Sequence, residues 1–219
     1  MAESGRTGGI FITLEGPDGA GKSTQAKLLE ARIRVVRPDV LFTREPGGTV
    51  LGEQIRNVLM NAPVGSHDGL SDALLFNAAR ARQVSEVIGP ALESGRVVVC
   101  DRFSDSTLAY QGYGDGVPLD SLRRLKLIAI GDITPDRTIL VDLPVAAGLK
   151  RRETGSSADL TRFETDEEAH GTSFHERVRS GYLEMAQQEP ARWRVVDGSA
   201  SPESVAEAVW SAVADLFEG

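Results

Sequence analysis

The sequence predicts a three-layer α/β/α fold built around a five-stranded parallel sheet. Five short runs of apolar, largely β-branched residues are apolar on both faces, as strands are when helices cover both sides of a sheet. Helical patterns lie between these runs, and alternating strands and helices favour parallel pairing. The predicted strands are 10–15, 39–43, 97–101, 137–142 and 193–197.

The helical segments carry apolar residues at three- and four-residue steps. The pattern is strongest in 71–93, whose apolar face suits a core or a subunit interface equally well. The last segment starts with Pro202, which suits the first helical position, and Ser201 before it suits the N-cap. The predicted helices are 25–33, 71–93, 119–130, 174–187 and 202–217.

The length and composition indicate one globular domain. A chain of 219 residues, of which 41% are hydrophobic, fits a single domain over 10–219 after a short flexible tail, 1–9. No run approaches the ~20 apolar residues of a membrane span, and the tail lacks the apolar stretch of a signal peptide. We therefore expect a cytoplasmic protein with no membrane partner. The net charge of −8 argues against a nucleic-acid partner.

The cysteine and histidine content excludes several metal sites. The single cysteine, Cys100, rules out an internal disulfide and a cysteine-based zinc site, and its apolar surroundings predict a buried core thiol. His67, His170 and His175 form no recognisable metal-ligand pattern, and we expect all three at the surface.

A phosphate-binding loop follows the first predicted strand, in 16-GPDGAGKST-24. Gly16, Gly21, Lys22 and Ser23 fit the pattern G-x-x-x-x-G-K-[ST], with the required strand before it and helix after it. Glycines let several N–H groups point inward, and the helix N-terminus adds partial positive charge. Lys22 is expected at the β- and γ-phosphates of ATP and Ser23 at Mg²⁺. The ATP-binding set is Gly16, Pro17, Asp18, Gly19, Ala20, Gly21, Lys22, Ser23 and Thr24.

A phosphate loop alone does not give the class of protein. None of the three asparagines is followed by lysine, so the N-K-x-D box of a switch GTPase is missing, and motor or ABC-type ATPases are usually longer. A small kinase remains, and such an enzyme needs a second anion site that faces the first.

Two further motifs supply that second site. The segments 43-TREPGGT-49 and 101-DRFSDSTLAYQG-112 follow the second and third strands, where ligands bind in open α/β sheets. Each carries an arginine that suits phosphate, Arg44 and Arg102, and Asp101 is suitably placed for Mg²⁺. In the helix 71–93, Phe76 and Arg80 are four residues apart and share a face, as a nucleobase pocket requires.

Together these motifs resemble the thymidylate kinase family. The resemblance runs over residues 10 to about 200, through the segments just quoted and through 131-GDITPDRTILVDLP-144 and 177-RVRSGYLEMA-186. It implies a P-loop kinase fold with a lid at about 150–165, a homodimer, Mg²⁺, and transfer of the γ-phosphoryl group of ATP to dTMP. Relatives have a cis proline just after the second strand, so the resemblance raises the same expectation for Glu45–Pro46.

The resemblance also implies residue roles. Arg44 and Arg102 would hold the dTMP phosphate, Phe76 would stack on thymine, Arg80 would bond its O4 edge, and Tyr110 would pack on the deoxyribose. The implied substrate-binding set is Asp18, Arg44, Glu45, Pro46, Phe76, Arg80, Arg102, Ser106, Thr107, Tyr110 and Gln111. The implied metal ligands are Ser23 and Asp101.

The chain departs from the family at the lid and at the pocket edge. Ala79 and Gln83 stand where relatives often carry Asp and His, and Thr161 stands where many carry Asp. Some relatives have an arginine at the position of Gly19–Ala20, which this loop lacks. The arginine at the transferring group is then expected from the lid, whose poorly structured segment 153–161 also fits a solvated loop. The expected catalytic set is Asp18, Lys22, Arg102 and the lid residues Arg152 or Arg162, with Arg151 a weaker choice.

Two other functions fit the motifs less well. One is a kinase that acts on another nucleoside monophosphate or on a deoxynucleoside. The other is a catalytically silent ATP-binding module, against which the intact Lys22, Ser23 and Asp101 argue.

Overall fold

A five-stranded parallel sheet forms the centre of the fold in a computed structural model of the chain. The structure describes residues 8–63, 66–154 and 167–217, with the backbone alone in 152–154 and 167–171. The sheet order is β2-β3-β1-β4-β5. The strands are β1 (Ile10–Glu15), β2 (Leu41–Arg44), β3 (Val97–Asp101), β4 (Arg137–Asp142) and β5 (Trp193–Asp197), which confirms all five predicted strands.

Helices connect the strands and cover both faces of the sheet. They are α1 (Lys22–Val36), α2 (Val50–Asn61), α3 (Gly69–Gln83), α4 (Gly89–Glu93), α5 (Ser104–Thr107), α6 (Leu119–Ile130), α7 (Val145–Thr154), α8 (Glu167–Gln188) and α9 (Pro202–Ser211). Wider π-helical turns, Val84–Ile88 and Leu108–Gly114, join α3 to α4 and extend α5, and a 3₁₀ turn, Ala214–Phe217, follows α9. All five predicted helices are present, whereas α2, α5 and α7 were not predicted.

Two apolar layers fix the sheet between the helices. On one face Ile12 and Leu14 of β1 belong to a buried cluster that also contains residues of α1 and α9. On the other face Phe11 packs with Ile88 and Phe103, and the rings of Phe11 and Phe103 meet edge to face with centroids 4.9 Å apart. Since side chains alternate along a strand, Thr13 and Glu15 point to the same face as Phe11.

The structure bears on the predictions for cysteine and histidine. Cys100 is fully buried, as predicted. His67 is partly exposed and pairs with Asp72, and the side chain of His170 lies outside the described residues. The prediction for His175 is wrong, because this residue of α8 is only 7% exposed. It is covered because α8 packs against α7 and the phosphate loop, where a small cavity is lined by Pro17, Asp18, Val145, Leu149 and His175.

The described helices include none with the length and apolar character needed to cross a membrane.

A buried ion pair joins α5 to the segment that leads into β5. Arg192 donates two hydrogen bonds to the carboxylate of Asp105, at 2.6 and 3.2 Å, and a third to Thr138 Oγ1 at 2.6 Å. The Asp105 side chain is 3% exposed. Removing one partner of such a pair leaves an uncompensated buried charge.

We therefore expect Asp105→Ala to lower the free energy of unfolding by about 3 kcal/mol or more. The control is Asp120→Ala, whose carboxylate pairs with Arg123 at the surface and is 85% exposed. That substitution is expected to change stability by less than about 0.5 kcal/mol. Urea denaturation of both variants measures the difference, and equal losses would contradict the assignment.

Candidate active site

A cavity of about 770 Å³ opens at the carboxyl ends of β1, β2 and β3. It brings together most of the residues that the sequence singled out. They are Asp18, Gly19, Gly21, Lys22, Ser23, Thr24, Arg44, Glu45, Pro46, Phe76, Asp101, Arg102, Ser106, Thr107, Tyr110 and Gln111. Of the predicted set, Gly16, Pro17, Ala20 and Arg80 do not line it. The side chain of Arg152 and the whole of Arg162 lie outside the described residues.

The phosphate loop joins β1 to α1 through backbone conformations that favour glycine. Gly19 and Gly21 have φ angles of 76° and 90°, in the left-handed region, and α1 begins at Lys22. Gly19 also touches α7, since a Cβ at this position would lie 2.4 Å from the carbonyl oxygen of Gly148. No side chain fits at position 19 unless α7 moves.

Lys22 is held inside the loop. Its Nζ donates to the carbonyl oxygen of Pro17 at 2.8 Å and lies 4.0 Å from Asp18 Oδ1. Burial and the nearby Arg102 lower the pKa of Lys22 to about 8, against the opposing attraction of Asp18 and Asp101. An added anion in the cavity would favour the charged form of this lysine.

Arg102 faces the loop from the end of β3. Its guanidinium pairs with the carboxylate of Asp18 and lies 3.2 Å from the hydroxyl of Tyr110. Burial alone would raise the pKa of Asp18, but Arg102 and Lys22 outweigh burial and hold the pKa below its usual value. Asp18 is therefore a carboxylate between two cations, one from each side of the cavity.

The predicted metal ligands lie together. Ser23 Oγ donates to Asp101 Oδ2 at 2.5 Å, so a hydroxyl at the start of α1 meets a carboxylate at the end of β3. No group of three or more acidic, histidine or cysteine side chains that could hold a metal ion occurs in the described part of the chain. One carboxylate and one hydroxyl fit Mg²⁺, which usually takes its remaining ligands from water and substrate phosphates.

The segment after β2 lines the opposite side of the cavity. The Glu45–Pro46 peptide bond is cis, as the resemblance implies. Arg44 donates to the carbonyl oxygen of Pro46 at 2.8 Å and to Glu53 Oε2 at 3.1 Å. Phe76 of α3 lies on the same wall.

Arg80 lies behind that wall, where its side chain is 1% exposed. Its guanidinium donates to Glu45 Oε2 at 2.8 Å, to Thr107 Oγ1 at 3.0 Å and to Asn77 Oδ1 at 3.1 Å. Burial raises the pKa of Glu45 to about 7 even though Arg80 opposes the shift. Arg80 is thus fixed by a buried network that connects the segment after β2 to α5.

Several residues at the site were not predicted to act there. Arg56, Asn57, Met60 and Asn61 of α2 line the cavity. The sequence signal that could have predicted α2 was Thr49, a residue type that favours the N-cap of a helix. Its hydroxyl caps α2 by accepting from the amide of Gly52 at 3.0 Å. Glu15, at the end of β1, is fully buried beside the site, and its acidic type in an apolar strand was the available signal.

Comparisons with known proteins agree on one family. The family model described as thymidylate kinase matches residues 14–209. A thymidylate kinase of Thermomicrobium roseum is 51% identical over 95% of this chain and 96% of its own length. One from Solidesulfovibrio magneticus is 44% identical over 95% of this chain and 100% of its own length.

The fold agrees as well. The crystal structure of a thymidylate kinase from Ehrlichia chaffeensis superposes with a TM-score of 0.76 at 34% identity, over 94% of this chain and 99% of that one. Because model, relatives and structure all match over nearly the full length, this chain belongs to the thymidylate kinase family.

Proposed function

We propose that this chain transfers the γ-phosphoryl group of ATP to dTMP, which gives ADP and dTDP. The observation that supports it best is the pair of cationic groups, Lys22 and Arg102, that approach Asp18 from two sides of one cavity. A kinase that joins two phosphorylated substrates needs one anion site for each of them.

The donor binds at the phosphate loop in this proposal. The loop Gly16–Thr24 wraps the ATP phosphates with its backbone amides, and Lys22 contacts the β- and γ-phosphates. Ser23 and Asp101 would hold Mg²⁺, which would supply positive charge to offset that of the phosphates. Gly198 lies next to the phosphate loop, since a Cβ on it would be 3.4 Å from the carbonyl oxygen of Ala20, and Arg151 donates to the Gly198 carbonyl oxygen at 2.9 Å.

The acceptor binds between the segments that follow β2 and β3. Arg44 and Arg102 hold the dTMP phosphate, and Phe76 stacks on thymine. Tyr110 packs against the deoxyribose, and Asp18 reaches the sugar or phosphate region. The remaining contacts come from Glu45, Pro46, Ser106, Thr107 and Gln111 on the cavity wall. Arg80, behind that wall, orients Glu45 and Thr107 through hydrogen bonds of 2.8 and 3.0 Å.

Catalysis then consists mainly of alignment and charge stabilisation. The attacking atom is a phosphate oxygen of dTMP, which is already largely anionic near neutral pH and needs little help from a base. Repulsion between two polyanions is the main obstacle, and Lys22, Arg44 and Arg102 offset it from both sides. We place Arg152 or Arg162 at the transferring group when a lid at about 150–165 closes and excludes water.

A homodimer completes the proposal, with the cytoplasm as the place of action. Helices α2, α3 and α6 lie side by side and carry large apolar side chains in contact with solvent. They are Val50, Leu51, Val58, Leu70, Leu74, Leu127 and Ile128. Such an apolar layer is typical of a subunit interface.

The two anion sites can be tested separately by substitution. Lys22→Ala should abolish turnover, whereas Arg102→Ala should raise the KM for dTMP at least about tenfold, the loss of one charge-assisted contact, with little change in ATP binding. A coupled assay of ADP release with dTMP, dUMP, dCMP, AMP and thymidine as acceptors measures both effects. Equal losses for the two substrates would contradict separate sites, and preference for another acceptor would contradict dTMP.

The proposed lid arginines can be tested by their effect on kcat. Arg152→Ala or Arg162→Ala should lower kcat by about 10³-fold, the scale of an arginine that stabilises the transferring phosphoryl group. Lys150→Ala is the control at a neighbouring cation. If both arginine variants keep more than about a tenth of the wild-type kcat, the activation free energy has risen by less than about 1.4 kcal/mol. In that case the lid does not supply the catalytic arginine.

The proposed dimer interface can be tested with a charge substitution. Leu74→Glu places a charge in the apolar layer and should shift the protein to monomers, because a buried unpaired charge is costly. Val35→Glu on α1 is the control, since Val35 is 83% exposed outside that layer. Light scattering coupled to size exclusion gives the masses, and a dimer that survives Leu74→Glu would place the interface elsewhere.

A further inference from the structure

Arg102 has an unusual backbone conformation. Its φ angle is 68°, and no other non-glycine residue in the described part of the chain has a positive φ. The left-handed region is unfavourable for an L-residue, because the Cβ comes too close to the following carbonyl oxygen. Such a conformation persists only where the surroundings hold it, and it is often found at functional sites.

The end of β1 holds the peptide groups on both sides of Arg102. The Arg102 amide donates to the carbonyl oxygen of Leu14 at 3.0 Å. The next amide, that of Phe103, donates to Glu15 Oε1 at 2.7 Å. The first of these bonds needs only backbone, so Glu15 is the side chain that β1 supplies to this clamp, while Cys100 Sγ of β3 donates to the Arg102 carbonyl oxygen at 3.0 Å.

The second carboxylate oxygen of Glu15 reaches the guanidinium through two hydroxyl groups. Glu15 Oε2 accepts from Ser106 Oγ at 2.6 Å and from the Tyr182 hydroxyl at 3.0 Å. Those hydroxyl oxygens in turn lie 3.3 and 3.5 Å from Nη1 of Arg102. Glu15 therefore acts on both the backbone and the side chain of Arg102.

We propose that Glu15 is a positioning residue that holds Arg102 in the left-handed conformation in which its guanidinium faces the acceptor phosphate. Glu15 does not line the cavity, so its effect on the acceptor site passes through Arg102. The inference rests on the proposed function, because it concerns the residue that we assign to the dTMP phosphate.

Glu15→Ala leaves the backbone bond to Leu14 but removes the bond to the Phe103 amide and both hydroxyl contacts. We expect the dissociation constant and KM for dTMP to rise about tenfold or more, the scale of lost hydrogen bonds to a charged group, while the KM for ATP changes less than about twofold. Glu15→Gln should restore most of the dTMP affinity. Its amide oxygen still accepts from the Phe103 amide, and its NH₂ group can donate to either hydroxyl.

Thr13→Ala is the matched control. Thr13 lies two residues earlier on the same face of β1, is fully buried, and bonds Thr138 through its hydroxyl at 3.0 Å. Its loss should lower the melting temperature and leave dTMP affinity unchanged. A merely structural role for Glu15 predicts the same result for Glu15→Ala.

A double-mutant cycle tests whether Glu15 acts through Arg102. In an Arg102→Ala background, Glu15→Ala should weaken dTMP binding by less than about twofold further, because residues in one network are not additive. Calorimetric titration with dTMP measures each affinity. The proposal is overturned if the loss of dTMP affinity in the double variant equals the product of the two single losses. It is also overturned if a folded Glu15→Ala variant keeps wild-type dTMP affinity.

If Glu15→Ala does not fold, Glu15→Asp and Tyr182→Phe replace it. Each should weaken dTMP binding about threefold, roughly one neutral hydrogen bond, and wild-type affinity in both overturns the proposal. A wild-type protein that releases no ADP with dTMP overturns the proposed function instead, so the two failures are distinguishable.

Discussion

The parallel pairing of β1 with β3 is the constraint on which the rest of the site depends. In this register Leu14 lies opposite Asp101, so the two strands end within one residue of each other. The phosphate loop leaves β1 and the Arg102 segment leaves β3 from adjacent points. Each then sends a cationic side chain to Asp18, at the place where open α/β sheets bind ligands. The five-residue strand β3 thus fixes the distance between the two proposed phosphate sites.

Burial makes these few charges effective in an acidic chain. The protein carries a net charge of −8, yet Lys22 and Arg80 are almost fully buried and Arg102 is largely covered. In a medium less polar than water, each contact between a cation and a phosphate is stronger than it would be at the surface. Within the protein, Asp18, Glu45 and Asp101 balance the charge of these cations. Binding of phosphates would replace part of that balance, which favours substrates that carry negative charge at both positions.

The sequence predicted the strands and the glycine-rich loop well, because both depend on local patterns. The predicted bounds match the strands Ile10–Glu15 and Arg137–Asp142, because a short apolar run between turn residues is typical of a buried strand. Glu15, Arg80 and His175 show where such reasoning stops. The burial of His175 and the four-residue network of Arg80 arise from segments that are distant along the chain, and no local pattern records them. Helix α2 was missed although Leu51, Ile55 and Leu59 recur at four-residue steps, a helical pattern that was present in the sequence.

The contact between Gly19 and Gly148 gives a physical reason for the composition of the phosphate loop. A Cβ on Gly148 would lie 2.5 Å from the carbonyl oxygen of Asp18, and a Cβ on Gly19 would meet Gly148 as closely, so the two backbones touch. An arginine at position 19 would have to displace α7. The same contact brings the helix that leads to residues 155–166 directly against the loop. An arginine within the loop would push that helix away, so we assign the proposed catalytic arginine to Arg152 of α7 or to Arg162.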